Sequence, residues 1–544
     1  MRPSIFLILI IALTFASCGE KEEVDLLLTN AKIYTVDESF SMAESMAIKD
    51  GNIIAVGSDE EMMGKYTGNL VDAEGKTVLP GLIDAHAHLY NLGVTLQQVN
   101  LVGTKSKEEI LGRIAAFQKE KNSSYILGRG WDQNDWEVKN FPTKEDLDSL
   151  FPDVPVALTR IDGHAYWVNS KVLEMAGVTS ETKMDGGEVV LGADGTPSGI
   201  LIDSPMSLVR NTIPQVTMAY NTSALKDAES ICFELGLTTI NDAGLSREVI
   251  ELIDELQQKG EMKIRVYAMA ANYPENLDHF LAKGILKTDR LNVRSVKVYA
   301  DGALGSRGAA LKEAYSDKDG HFGAMITPMN ELEALAVRIS DAGYQMNTHA
   351  IGDSANVSVL KAYKAALKDK SDARWKVEHA QVVALEDFDY FSKNIIPSVQ
   401  PTHATSDMYW AEDRVGSERI KGAYAYKTLL NKAGIVALGT DFPVEKVNPM
   451  HTFYAAVARK DLKNYPEGGF RSQEALSREE TLKGMTIWAA YSNFEETEKG
   501  SLEPGKFADF VILDRDIMTC EESDIHQTKV LATYVGGEKV FEAN

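Results

Sequence analysis

The stretch Val78-Leu-Pro-Gly-Leu-Ile-Asp-Ala-His-Ala-His88 decides how the rest of the chain is read. An apolar run turns at Pro80-Gly81, resumes at Leu82 and ends on two histidines. Side chains alternate along a strand, so His86 and His88 point to the same side. Two imidazoles at that spacing can both reach one divalent ion. The small Ala87 between them and the apolar residues before them fit a barrel strand whose C-terminal end opens into an active site. His-x-His pairs also occur on solvated strands; the turn before this pair and its place at a strand end favour a metal.

Working outward, the middle of the chain alternates short apolar runs with helix-length segments, the rhythm of a parallel sheet or barrel. Strands are expected at Leu82–His88, Leu237–Ala243, Ile264–Met269, Ser295–Ala300, Gln345–His349, Lys376–His379, Ile396–Gln400 and Ile435–Thr440. That set of eight is what a (β/α)₈ barrel requires. Ligand-type residues fall where those strands end. His349 closes Gln345-Met-Asn-Thr-His, His379 closes Val377-Glu-His, and Asp441 follows Ala437-Leu-Gly-Thr. Lys297 sits inside the apolar strand Val296-Lys-Val-Tyr299, where a bare ammonium is costly unless paired or modified. One histidine alone reads as a satisfied core or surface residue. Several strand ends of one barrel supplying ligands is a different matter, because those ends form the catalytic face.

Both chain ends carry short β-type runs, Asp25–Thr35 and Asn52–Val56 at one end, Phe507–Leu513 and Val530–Phe541 at the other, with Gly536-Gly537 as a hairpin turn. They are expected to pair into a composite β-sandwich, residues 24–79 with 491–544, around a barrel of residues 80–92 and 224–490. The long stretch 93–223, with strand-like Tyr125–Gly128 and Val154–Arg160, reads as an inserted α/β domain, since unstructured loops of that length are uncommon.

Composition fits a globular enzyme: 44% hydrophobic, 25% charged, and 56 basic against 80 acidic residues for a net charge of −24. That balance and the lack of a basic stripe argue against a nucleic-acid partner. Arg2 and the apolar run Ile5–Ala16 form a signal-type segment, too short to span a membrane. Ala16-Ser17-Cys18 resembles the lipobox of bacterial lipoproteins, with Phe15 in place of the usual Leu. Residues 1–17 are then a signal peptide and Cys18 is lipidated, so the protein is exported and touches the membrane of the bacterial envelope only through that anchor. An ordinary secretory peptide is the alternative. Cys232 and Cys520 form no disulfide framework and read as small apolar residues.

The strings PGLIDAHAHL (Pro80–Leu89), GRGWDQNDW (Gly128–Trp136), DGHAYWVNS (Asp162–Ser170), KVYADGALGSRGAAL (Lys297–Leu311), THAIGD (Thr348–Asp353), VEHAQ (Val377–Gln381), GTDFPVE (Gly439–Glu445) and GSLEPGKFADFVILD (Gly500–Asp514) together resemble the amidohydrolase superfamily. The resemblance is strongest to the amidohydrolase-3 branch that includes N-substituted formamide deformylases, and it covers nearly the whole chain. It implies a two-metal hydrolase. His86 and His88 would bind one divalent ion and His349 and His379 the other, with Lys297 bridging them as a carbamate. Asp441 would contact metal and move the proton. Zinc suits imidazole and carboxylate ligands, as iron or manganese would. The implied reaction is hydrolysis of a non-peptide C–N bond in a small amide, formamide or cyclic amide. Aminoacylase, dipeptidase, ester, phosphoester or deaminase chemistry in the same site is the enzyme alternative; a ligand-binding surface lipoprotein is the non-enzyme one.

Trp131, Asp132, Asp135, His164, Arg307 and His403 are candidates for lining a substrate pocket. Glu378 beside His379 is a candidate for orienting a ligand, but alternation turns it to the opposite strand face, which favours a structural reading. His279, His321, His451 and His526 lie away from strand ends and read as surface residues. A homodimer is compatible with the sequence.

Overall fold

The computed structural model describes residues 21–543 apart from residue 369. Residues 1–17 and Cys18, read above as signal and lipid anchor, lie outside the described residues. Eight strands run parallel around the centre: β1 (Leu82–Ala87), β2 (Leu237–Leu245), β3 (Arg265–Ala271), β4 (Leu291–Tyr299), β5 (Gln345–Ala350), β6 (Trp375–His379), β7 (Ile395–Val399) and β8 (Ala437–Leu438). A ninth, Leu286–Lys287, pairs antiparallel with β4. The strands are rich in Val, Ile, Ala and Met and buried on both faces, as expected when helices cover the outside.

β8 is only two residues long, so backbone bonds beyond its end and the Asp84 side chain close the barrel between β8 and β1. Asp441 N–H donates to the His86 carbonyl at 2.8 Å and His88 N–H to the Phe442 carbonyl at 2.9 Å. Asp84, buried in β1, accepts from Thr440 N–H at 3.0 Å and from Thr440 Oγ1 at 2.7 Å. Gly439 makes this approach possible: a Cβ there would lie 2.5 Å from His86 N. The (β/α)₈ expectation therefore holds, with its seam stitched around the residues that flank the histidines.

A six-stranded mixed sheet of residues 99–203 falls in the chain between β1 and β2, ordered Gly187–Leu191, Pro197–Asp203, Ala165–Val168, Val156–Arg160, Ile126–Trp131, Val99–Asn100. The end regions build two further sheets. One contains only N-terminal strands, Glu22–Thr29, Ser45–Lys49, Asn52–Gly57 and Tyr66–Asp72. The other joins Lys32–Tyr34, Met42–Ala43 and Thr77–Pro80 to Phe510–Leu513, Val530–Val535 and Glu538–Glu542. The run Asp25–Thr35 is thus not one strand. Asn30 adopts φ 51°, a left-handed bend that Asn tolerates, and sends the chain from the first sheet into the second. Gly536 and Gly537, at φ 56° and 74°, make the tight hairpin expected of them. Leu26, Leu28, Ile33, Met46, Val78, Phe510 and Ile512 form the core between these sheets.

Candidate metal centre

The C-terminal ends of β1, β4, β5, β6 and β8, with the segment after β7, bring five histidines, one lysine and one aspartate together. His86 is fully buried, and its Nε2 lies 3.0 Å from Lys297 Nζ and 3.7 Å from Asp441 Oδ1. His88 Nε2 is 3.2 Å from the same Asp441 oxygen. The His379 ring stands 4.8 Å from that of His86 and 4.6 Å from that of His349. His403 stacks on His379 at 5.8 Å, and its Nε2 is 3.7 Å from Asp441 Oδ2. Two overlapping groups have ligand atoms close enough for one ion each: His86, His88 and Asp441, and His379, His403 and Asp441. Asp441 belongs to both.

Backbone strain aims these side chains. Asp441 sits at φ 63°, and His379 and Ala380 at φ 73° and 41°. Left-handed conformations cost energy for such residues and persist where the surroundings impose them. The consequence at β6 corrects the alternation argument. Glu378 shares the inward face of β6 with Lys376, and the left-handed turn at His379 breaks the strand period so that this ring faces inward as well. Glu378 Oε2 accepts from His86 Nδ1 at 2.6 Å, with both side chains excluded from solvent. Gln400, at the end of β7, plays the equivalent part for His379: Oε1 accepts from Nδ1 at 2.7 Å. In both rings the outer nitrogen is tied, which leaves Nε2 facing the cluster.

Charge follows burial. Desolvation lowers the pKa of His86 and His379, and takes His349 down to about 3, so the imidazoles stand as neutral ligands. Burial likewise lowers Lys297 toward the free amine. Burial by itself would raise Asp441, but the His88 hydrogen bond opposes it and the carboxylate is held ionised. Asp84 and Asp242 are pushed up by burial to about 7 and about 6. Asp242, near the end of β2, was not singled out in the sequence. It accepts from Tyr90 N–H at 3.0 Å and so anchors the helix Leu89–Leu96 that starts at His88.

Several buried polar atoms at the cluster lack partners among the described residues: His88 Nδ1, His349 Nε2, His403 Nε2, Glu378 Oε1 and Gln400 Nε2. Unpaired buried groups cost about 1–3 kcal/mol each, so their concentration here fits a site built to bind an ion. The donor set of imidazole and carboxylate fits divalent transition metals.

The other candidates divide. His403, expected only to line a pocket, belongs to the cluster. Trp131 is fully buried in the core of the 99–203 sheet, with Nε1 donating to the Leu158 carbonyl at 2.8 Å, so it lines no pocket. Asp132 caps the turn at Asn134 and pairs with Arg160 at 2.5 Å. Asp135 is exposed and ends that same turn. Arg307 is committed to Asp317 through two bonds of 3.0 and 2.8 Å. His164 is 72% exposed and bonds Asp203 at 2.7 Å beside an open cleft bordered by Met184, Met206 and Arg210. None of these contacts reaches the histidine cluster. His279, His321, His451 and His526 are half-buried rather than on the open surface; His321 Nε2, for example, pairs with the Arg307 carbonyl at 2.8 Å.

A barrel whose strand ends converge on His86, His88, His349, His379 and Asp441 can be compared with known proteins. Residues 69–541 match the model of the amidohydrolase family. The chain belongs to that family. This amidohydrolase is 36% identical over 540 residues to protein LONG AFTER FAR-RED 3 of Arabidopsis thaliana, covering 95% of this chain and 91% of the relative. It is 26% identical over 550 residues to N-substituted formamide deformylase of Arthrobacter pascens, covering 95% and 98%. Among solved structures, an uncharacterized metal-dependent hydrolase from Pyrococcus horikoshii OT3 superposes with a TM-score of 0.74 at 29% identity, covering 91% of this chain and 99% of the other. The amidohydrolase is accordingly a metal-dependent hydrolase.

Proposed function

We propose that this amidohydrolase cleaves a non-peptide C–N bond in a small amide, N-substituted formamide or cyclic amide, using a pair of divalent metal ions, zinc foremost. One observation carries the reading: the single carboxylate of Asp441 reaches both histidine groups, which places one proton acceptor where two ions would meet. The similarity to an N-substituted formamide deformylase supports the choice of bond.

His86, His88 and Asp441 would hold one ion; His379 with His349 or His403 would hold the other. Lys297 fits a bridging carbamate. It is fully buried, has no carboxylate partner among the described residues, and is driven toward the neutral amine that reacts with carbon dioxide. Such a metal pair supplies an activated water and polarises the substrate carbonyl. The residues do the rest. Glu378 and Gln400 lock the ring orientation of His86 and His379. Asp441, ionised and reachable from both groups, accepts a proton from the attacking water and returns it to the leaving nitrogen. The surrounding apolar strands keep bulk water out, so these charges act at short range.

The test is to load the full chain with zinc and assay N-butylformamide, N-propylacetamide and glutarimide while measuring bound metal. The expected result is hydrolysis of at least one class, with up to two equivalents of metal, lost in His86→Ala. A chain that binds no transition metal and is unchanged by His86→Ala overturns the reading.

We propose as well that the protein is exported and lipid-anchored through Cys18, on the strength of the apolar run and Ala16-Ser17-Cys18. Cys18→Ala should move the protein from the membrane to the soluble envelope fraction; an unchanged membrane fraction would refute this.

A further inference from the structure

We propose that Tyr299 is a catalytic residue whose phenol donates a hydrogen bond to the acyl oxygen of the substrate; this rests on the amide-hydrolase reading above. Tyr299 ends β4 two residues after Lys297, on the same side of the strand. Its ring lies 4.9 Å from Lys297 Nζ and 5.5 Å from the His349 ring, so it borders the metal centre directly. Yet it is 38% exposed, whereas Val296, Lys297, Val298 and Ala300 around it are buried.

Its hydroxyl is unusual among the barrel tyrosines. Tyr267 bonds Gln345 at 2.6 Å, Tyr363 bonds the Met346 and Lys376 carbonyls at 2.9 Å, and Tyr426 bonds the Gln400 carbonyl at 2.9 Å. These are structural pairings of buried phenols. Among the described residues the Tyr299 hydroxyl has no such partner; outside the β4–β5 ladder, its carbonyl accepts from Thr327 Oγ1. Opposite it, at the end of β2, Gly244 sits at φ +91°, where a Cβ would be 3.6 Å from the Tyr299 hydroxyl and 3.9 Å from Lys297 Cγ. A larger side chain would fill the space in front of the phenol. The geometry is that of a partly exposed donor held beside the candidate metal ligands and free to bond a ligand.

In the reaction, water adds to the acyl carbon and gives its proton to Asp441. The carbonyl π pair moves onto oxygen, where Tyr299 Oη–H donates to the growing negative charge. When that pair returns, the C–N bond breaks and the amine leaves with the proton held by Asp441. Tyr299 keeps its own proton throughout. Removing one such donor typically lowers kcat about 100-fold.

Tyr299→Phe in the zinc-loaded full chain is the test. Expected are full metal content, a little-changed KM, and a kcat about 100-fold lower on whichever amide the parent hydrolyses. A second readout needs no turnover: methylphosphonate, a tetrahedral oxyanion, should bind the parent with an ultraviolet tyrosine difference signal and bind Tyr299→Phe more weakly without it. Parental kcat and parental methylphosphonate affinity overturn the proposal. So does loss of metal or of the folded state in this near-isosteric variant, which would assign Tyr299 a structural role. If the parent hydrolyses no amide, the functional reading fails separately, and the methylphosphonate comparison still decides whether Tyr299 contacts an oxyanion.

Discussion

Glu378 offers the sharpest test of how the centre is held together. Its carboxylate is fully buried, lies 2.6 Å from His86 Nδ1 and has no comparable partner on its other oxygen. Exposed pairs of this kind contribute roughly 0–1 kcal/mol. Here solvent cannot take over either group. In Glu378→Ala the His86 N–H is left unpaired inside the barrel, a penalty of about 1–3 kcal/mol, and a cavity is added beside it. Glu378→Gln keeps an acceptor oxygen but removes the charge that orients the ring and strengthens Nε2 as a ligand. Outer partners of metal-bound histidines typically contribute 10–100-fold to metal affinity. The expected order is therefore parent, then Glu378→Gln with zinc affinity about 10–100-fold weaker, then Glu378→Ala weaker still and less stable to heat. Competition with a calibrated chelator gives the affinities; scanning calorimetry gives the stability. A Glu378→Gln protein with parental zinc affinity would show that the 2.6 Å contact orients nothing the metal uses, and the reasoning would fail.

Three further outcomes follow from the same geometry. Asp441→Asn should keep its backbone, since Asn tolerates the left-handed φ of 63°, and should retain metal at the histidines while kcat drops at least about 100-fold; near-parental turnover in a metal-content-matched assay would remove Asp441 as the proton carrier. Gly439→Ala should lower the melting temperature and metal content together, because the new Cβ meets the His86 backbone at 2.5 Å and forces the β1–β8 seam apart; a stable, fully loaded variant would contradict the seam. Arg265 in β3 grips Asp509 at 2.6 and 2.9 Å with both side chains buried, and stacks 3.9 Å over Phe507. Burial opposes ionisation of Asp509, but Arg265 outweighs it and holds the pKa below its usual 3.8, so this stabilisation is complete above about pH 4 and is lost as pH falls through the lowered value. Asp509→Asn should cost about 3–5 kcal/mol near neutral pH, leaving a buried guanidinium unpaired, and should flatten the acid limb of a stability profile; an unchanged acid limb would dissociate the pair from that limb.

Much of this architecture follows from local pattern. Eight apolar runs at helix-spaced intervals specify a barrel because each must be buried on both faces, and each run found in the sequence corresponds to a strand in the structure. His86 and His88 could be placed together from strand period alone, and His349, His379 and Asp441 from their positions at strand ends. Local pattern failed where the backbone leaves its regular period or where a neighbour distant in sequence decides. Glu378 and His379 both face inward because the left-handed φ of His379 breaks the alternation after Glu378. His403 joins the ligands because Pro401–Asp407 begins as a helix immediately beyond β7 and brings it alongside His379. Trp131 sits in a string that looks like a site, yet its indole completes a core.

Hydrophobic period and side-chain chemistry are written residue by residue, so the kind of fold and the kinds of candidate ligand can be read along the chain. How those ligands are shared depends on the folded barrel. Asp441 serves both histidine groups because the two-residue strand β8 is held against β1 by Asp84, Thr440 and Gly439, more than 350 positions apart in the chain. Lys297 faces His86 across the barrel for the same reason. Such distances depend on closure of the barrel as a whole, and no spacing along the chain encodes them.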